Sequence, residues 1–122
     1  MENNPIKSNE PMGSHSHIFI AGPLTLNSHT NQAHIVLQPV MQLTPDEFDI
    51  LFMLAMRENI PLSFETLYNA LWDSSDETDN REYAWDIIVN LATRISAAGN
   101  GFIWIEYEES SGFTFRTNWN RS

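Results

Sequence analysis

Cysteine is absent from this sequence, and positively charged residues are few. Without cysteine, disulfide frameworks, thiolate zinc sites and cysteine nucleophiles are all excluded. Six lysine and arginine residues are outnumbered by sixteen aspartate and glutamate residues, which gives a formal net charge of -10. Such an acidic balance disfavours non-specific binding to nucleic acid or to anionic membranes, and it favours a basic partner wherever charge contributes to binding.

Long apolar runs and catalytic motifs are also absent. No run approaches the roughly 18 residues that span a bilayer, and residues 1–16 lack the apolar segment of a signal peptide. We therefore expect a cytoplasmic domain with no membrane contact. Because the sequence has no nucleophile elbow, phosphate-binding loop or zinc-protease helix, we expect neither enzymatic activity nor a cofactor. His15 with His17 and His29 with His34 are close enough to suggest metal pairs. They lie in a tail, a turn or short strands with no cysteine to support them, so we interpret them as surface residues.

The sequence does contain enough apolar residues for one folded domain. Its 122 residues are 42% hydrophobic and 11% aromatic. This composition suffices for one hydrophobic core, and the chain is too short for two. Composition divides the chain into three parts. Residues 1–16 are predicted to be a flexible tail, residues 17–117 the folded domain, and residues 118–122 a C-terminal tail.

The pattern of the folded part predicts an α+β domain. Short β-favouring runs separated by turn residues predict an N-terminal antiparallel sheet with strands at residues 17–21, 24–26, 33–37 and 40–43. Three amphipathic helices follow, and periodicity places Trp85 on the apolar, buried side of the third. Two further runs, at residues 102–107 and 113–117, predict a C-terminal β-hairpin.

The helix starts are marked by capping residues. In the first helix, Thr44 is predicted to cap the backbone, and Glu47 stands three residues later, as a capping box requires. Ser63 is predicted to cap the second helix. Asp79 and Glu82 have the same spacing, so they are predicted to form a capping box for the third helix.

Three segments carry motifs in a family-specific order. Residues 43–51 are LTPDEFDIL, residues 62–72 begin LSFETL and end LW, and residues 112–115 are GFTF. Together they resemble the LT-x-x-E-x-x-LL, S-R-x-x-L…VW and G-Y-x-F segments of the winged helix-turn-helix effector domain of OmpR/PhoB-type response regulators. The resemblance implies DNA binding, with the third helix in the major groove and the hairpin as a wing on the backbone. Because sixteen residues precede the fold, we expect a standalone domain without the receiver domain of the family.

The third helix departs from the family where DNA would be contacted. The family pattern there is like I-R-R-L-R-K-x-L, and residues 88–95 keep its apolar positions. Its four basic positions are here Val89, Asn90, Ala92 and Thr93. Helical geometry places five residues opposite Ile88, namely Glu82, Asp86, Asn90, Thr93 and Ala97. That face therefore has two acids and no cation.

The predicted wing has also lost a positive charge. Glu109 stands where the family has an arginine, and Glu106 and Glu108 are close in sequence. Phosphate contacts supply most of the sequence-independent affinity of such domains, so we expect ordinary duplex affinity to be abolished or very weak. Our main interpretation is a transcription-regulator-like winged-helix domain with a degenerate DNA-binding face, which acts through protein contacts or weak DNA binding.

Protein partners are predicted at two places. In the resembled family, the loop between the second and third helices contacts RNA polymerase, and here it contains Asp76, Glu77 and Asp79. A contact with polymerase or with another regulator is one interpretation of this loop, and a solvated loop is the other. Val89 would be unusual on a solvent-exposed face, which suggests that a second copy of the chain or a partner covers it.

Two alternative functions remain open. The domain is a sequence-specific DNA-binding regulator if Asn90, Thr93, Arg94 and Arg116 contact DNA and a dimer or a partner supplies the phosphate affinity, because asparagine can recognise adenine. Alternatively, the domain is an acidic decoy that occupies a basic nucleic-acid-binding protein.

Overall fold

Four short strands, three helices and a hairpin follow one another along residues 17–72 and 80–118, which the computed structural model describes. The elements in chain order are β1 (Ile18–Ala21), β2 (Leu24–Asn27), β3 (Gln32–Ile35), β4 (Met41–Gln42), α1 (Pro45–Met56), α2 (Phe64–Leu71), α3 (Arg81–Gly99), β5 (Ile103–Glu108) and β6 (Gly112–Thr117). The predicted α+β order is confirmed.

The N-terminal strands form one antiparallel sheet in the order β1-β2-β3-β4. Its third strand is shorter than predicted, since β3 ends at Ile35 and not at residue 37. Leu37 has a φ of 70°, which a strand does not accept, and its side chain is 86% exposed. Residues 35–38 form a turn instead, because the Gln38 N–H donates to the Ile35 carbonyl at 2.9 Å.

The first two helices begin as the sequence predicts. The Thr44 N–H donates to Glu47 Oε1 at 2.9 Å, and the Glu47 N–H donates to Thr44 Oγ1 at 3.2 Å, which completes the capping box. At α2, the Thr66 N–H donates to Ser63 Oγ at 3.1 Å. Both helices thus satisfy an otherwise unpaired backbone donor locally.

The capping box predicted for α3 is wrong. The N-cap is Asn80, whose side chain makes no capping hydrogen bond, so Glu82 is the second helical residue and not the third. Asp79 itself lies outside the described residues. The start of α3 is held from α2 instead, because the Asn80 N–H donates to the Tyr68 hydroxyl at 3.2 Å. A tertiary contact has replaced the local one.

The core lies where α3, β6, α1 and the inner side of the sheet meet. Its fully buried large side chains include Leu24, Leu26, Leu51, Leu54, Ile88, Leu91, Ile95, Phe113 and Phe115. Complete burial of one such side chain contributes about 1.5–3 kcal/mol. Three of them lie along one side of α3, so packing fixes which side of that helix faces outward.

Each strand of the hairpin formed by β5 and β6 is hydrogen-bonded to another part of the domain. The Leu62 N–H donates to the Phe113 carbonyl and the Phe113 N–H to the Leu62 carbonyl, each at 2.8 Å. Gly112 has a φ of 112°, and a Cβ added there would collide with the Leu62 carbonyl. On the other strand, the Ile105 N–H donates to Ser96 Oγ of α3 at 3.1 Å. The predicted wing is therefore fixed relative to α3.

Candidate functional site

The outward side of α3 is the surface that the sequence predicts as the former DNA-binding face. We define the α3 outer face by six exposed residues of the helix, Glu82, Trp85, Asp86, Val89, Asn90 and Thr93. These six include two carboxylates and no cation, while Arg81 and Arg94 are also exposed on α3. The Thr93 hydroxyl is already engaged within the helix, because it donates to the Val89 carbonyl at 2.9 Å.

Trp85 occupies the border of this face. The sequence predicts it on the buried side, which is wrong in part, because its side chain is 36% exposed. One side of the indole packs against the rings of Phe64, Tyr107 and Phe113, with centroids 5.4–5.6 Å away. Trp85 lies at the edge of the apolar side of α3, where α2 and β5 cover only part of a ring this large. Tyr107 is itself 49% exposed, and Val89 is 37% exposed.

Arg94, which the sequence offers as a DNA contact, is paired within the domain. Its guanidinium donates to Glu47 Oε2 at 2.9 Å. The same carboxylate accepts the Thr44 N–H in the capping box, so Arg94 ties α3 to the start of α1. To reach a phosphate, this arginine would have to leave an intramolecular partner.

Arg116 on β6 is paired in the same way. Its Nε donates to Glu106 Oε2 at 3.0 Å, and its Nη1 donates to Asn59 Oδ1 at 3.2 Å. Trp104 also donates from Nε1 to Glu106 Oε1 at 3.1 Å. The hydrogen bond from Trp104, followed by that from Arg116, lowers the pKa of Glu106, so its charged form is favoured.

The end of the hairpin is negative. Glu108 and Glu109, both predicted as wing residues, are exposed. Glu108 Oε1 accepts a hydrogen bond from the Ser111 hydroxyl at 3.0 Å. No arginine within residues 17–72 and 80–118 forms an ion pair with either carboxylate.

A third pair, which no sequence motif predicts, joins α2 and α3. Arg81 donates to both carboxylate oxygens of Glu65, and its guanidinium lies 4.8 Å from the ring centroid of Tyr68. The hydrogen bond from Arg81 is the main cause that lowers the pKa of Glu65. Sixteen residues separate the two partners, and no local motif marks such a pair. Among the four described arginines, three are thus bound to glutamates of the same chain.

The remaining predictions concern the partner loop, metal binding and membrane contact. Asp76, Glu77 and Asp79 of the predicted partner loop lie outside the described residues. Within the part of the chain that the structure describes, no group of three histidines or acids is arranged to hold a metal ion. None of the described helices is long and apolar enough to cross a bilayer.

A cavity of about 420 Å³ lies between the sheet and α1, away from the α3 outer face. Phe19, Phe48 and Phe52 line it together with Asp49. Desolvation, followed by repulsion from Asp46, raises the pKa of the Asp49 carboxyl. The cavity presents one carboxyl among aromatic rings, and the imidazole of His17 also lines it.

Comparison with known proteins gives a family and a set of similar folds. The family model described as "Transcriptional regulatory protein, C terminal" matches residues 38–115. The DNA-binding domain of E. coli CadC superposes with a TM-score of 0.67 at 18% identity, covering 86% of this chain and 98% of that one. The DNA-binding domain of E. coli CpxR gives 0.62 at 23% identity, covering 84% and 98%.

A longer structure matches over part of its length. The response regulator DrrB of Thermotoga maritima, an OmpR/PhoB homologue, superposes with a TM-score of 0.63 at 19% identity. The match covers 82% of this chain but only 44% of DrrB. A comparison with curated protein sequences gives no match. The structural likenesses support the winged-helix fold, and the predicted resemblance is confirmed.

Proposed function

Since the chain belongs to the family of transcriptional regulatory protein C-terminal domains, we propose that it is a winged-helix regulator domain whose α3 outer face contacts a protein and not duplex DNA. The fold supports the regulator part of this proposal. The chemistry of the exposed side of α3 supports the choice of a protein partner.

The observation that carries the proposal is the state of the positive charges. Arg81, Arg94 and Arg116 each donate to a glutamate of the same chain, so their charges are already compensated. Non-specific affinity for a duplex comes from cations that replace condensed counterions on the phosphates. Glu82 and Asp86 would instead repel phosphates that approach within the Debye length of about 8 Å.

The same contacts weigh against sequence-specific binding to DNA. Asn90 is exposed, and its amide can recognise adenine. However, Arg94 and Arg116 are held by Glu47 and Glu106. One amide contact without phosphate contacts leaves the helix without a fixed register on a duplex.

The experiment that tests this proposal is selection from a pool of randomised duplexes at low salt. We expect the natural domain to enrich no sequence. A variant with Val89→Arg, Asn90→Arg and Thr93→Lys places cations on α3, and we expect it to gain at least about tenfold in salt-dependent duplex affinity.

A matched variant separates position from total charge. Ile20→Lys, His34→Lys and Val40→Lys add the same three charges on exposed positions of the sheet region. We expect this variant to gain much less than the α3 variant. Enrichment of one base sequence by the natural domain would contradict the proposal.

A further inference from the structure

Two exposed aromatic rings lie beside two carboxylates at the α3 outer face. Trp85 and Tyr107 are in contact, with centroids 5.4 Å apart, while Glu82 and Asp86 both lie to one side of Trp85 on the helix. We infer that these four residues form a docking site for an arginine-rich segment of a partner protein. This inference rests on the proposed function and specifies the chemistry of its partner.

The aromatic part of the site is rigid and half-exposed. Tyr107 and Trp85 both rest on the buried Phe113, with centroids at 4.7 and 5.6 Å, and Phe64 supports the far edge of Trp85. Large rings held in place by a core lose little conformational entropy when a partner binds. Tryptophan and tyrosine in such settings are the residue types that carry much of the energy of protein interfaces.

The acidic part lies within reach of the rings. Glu82 is three residues before Trp85 and Asp86 is four residues after Glu82, spacings that put side chains about 5–6 Å apart at Cβ. Among residues 17–72 and 80–118, neither carboxylate takes part in an ion pair. A cation placed over the indole would therefore lie beside the carboxylate of Glu82, with that of Asp86 next to it on the same face.

The chain already contains one arrangement of this kind. The guanidinium of Arg81 lies over the ring of Tyr68 while both carboxylate oxygens of Glu65 accept its N–H groups. A planar guanidinium satisfies the ring and the carboxylate together, whereas a lysine ammonium acts as a point charge. The site on α3 offers the ring and the carboxylates, so the complementary group is an arginine from a partner. The net charge of -10 would also steer a basic segment toward the domain.

A peptide titration tests this inference on the full chain. The probes are three twelve-residue peptides in which alanine alternates with arginine, lysine or uncharged citrulline. We expect the arginine peptide to bind about fivefold or more tighter than the lysine peptide, and the citrulline peptide not to bind measurably. In NMR spectra, the indole N–H of Trp85, assigned by its loss in Trp85→Phe, should shift, while that of Trp104 should not.

Two variants of equal charge locate the site. Glu82→Gln with Asp86→Asn removes two charges from the α3 outer face, and we expect binding of the arginine peptide to weaken about tenfold. Glu108→Gln with Glu109→Gln removes two charges from the end of the hairpin, and we expect less than about a twofold loss. Trp85→Leu keeps an apolar group over Phe113 and should weaken binding about fivefold.

Each outcome bears on the inference separately from the proposed function. Equal losses in the two charge variants, or equal affinity for the arginine and lysine peptides, would show general attraction and overturn the docking site. Failure of all three peptides to bind would also overturn it, while the absence of duplex binding would leave the proposed function standing. Base-selective duplex binding through α3 would overturn the proposed function whatever the peptides do.

Discussion

The N-terminal sheet and the α3 outer face share one core but differ completely in charge. From residue 17 to residue 45 the sequence contains no aspartate, glutamate, lysine or arginine, whereas the α3 outer face carries Glu82 and Asp86. The sheet and helix α3 bury their apolar sides equally well, because Leu26 and Ile88 are at most 1% exposed. The core therefore does not dictate the electrostatics of either surface. The acidity of the α3 outer face is therefore a property of its surface residues and not a requirement of the fold.

The largest expected effect on folding stability is the difference between the buried and the exposed side of α3. Ile88→Ala removes a fully buried side chain and should lower the free energy of unfolding by about 2–5 kcal/mol. Asn90→Ala, on the exposed side, should change it by no more than about 0.5 kcal/mol. Urea denaturation measures both. A loss at Asn90 as large as that at Ile88 would mean that the exposed side also supports the fold.

The second largest expected effect on folding stability concerns the attachment of the hairpin to the segment before α2. Gly112→Ala combines a φ of 112° with a collision against the Leu62 carbonyl, so we expect a loss of about 3 kcal/mol. Gly101→Ala is the matched control, because its φ is 84° but no atom lies within 4 Å of the added Cβ. Its loss should be about 1 kcal/mol. Thermal denaturation compares them, and equal losses would show that Leu62 does not constrain the hairpin.

How far the sequence predicts this molecule depends on the distance between interacting residues. Thr44 and Glu47 are three residues apart, so a local motif suffices to predict their capping box. The pair of Arg94 with Glu47 spans 47 residues, and that of Arg116 with Asn59 spans 57. Both need the packed helices and hairpin to bring the partners together, and no local pattern encodes them.

Mistaken predictions have the same origin. The spacing of Asp79 and Glu82 fits a capping box, but the contact of Asn80 with Tyr68 places the helix start one residue later. Trp85 fits the apolar side of α3 by periodicity, yet its exposure depends on how much of the ring α2 and β5 cover. Periodicity gives the direction of a side chain and not the extent of its neighbours.

The caps of α1 and α3 provide a smaller comparison. Thr44→Ala removes a capping hydrogen bond, and we expect α1 to lose about 1 kcal/mol of stability. Asn80→Ala should cost less than about 0.5 kcal/mol, because its side chain makes no such bond and its backbone N–H is kept. Chemical denaturation of both variants tests this. A larger loss at Asn80 would contradict the tertiary origin of the α3 start.

The smallest effect is expected at Asp49, and it depends on pH. Because the folded state raises the pKa of this carboxyl above 3.8, its ionisation destabilises the fold, fully above the raised pKa and not at all well below 3.8. Asp49→Asn should therefore increase stability at pH 7, by no more than about 0.5 kcal/mol after solvent screening. At pH 3 the two proteins should have equal stability. A greater gain in stability at pH 3 than at pH 7 would contradict a raised pKa for Asp49.

The affinity of the natural domain for a labelled random-sequence duplex, followed by fluorescence anisotropy across a salt series, tests the central claim most directly. With three of its four described arginines paired and its outer face acidic, the domain should show no saturable binding at about 50 mM salt up to about 100 μM protein, weaker than ordinary non-specific binding. Saturable binding below about 1 μM that weakens steeply with salt would contradict the account.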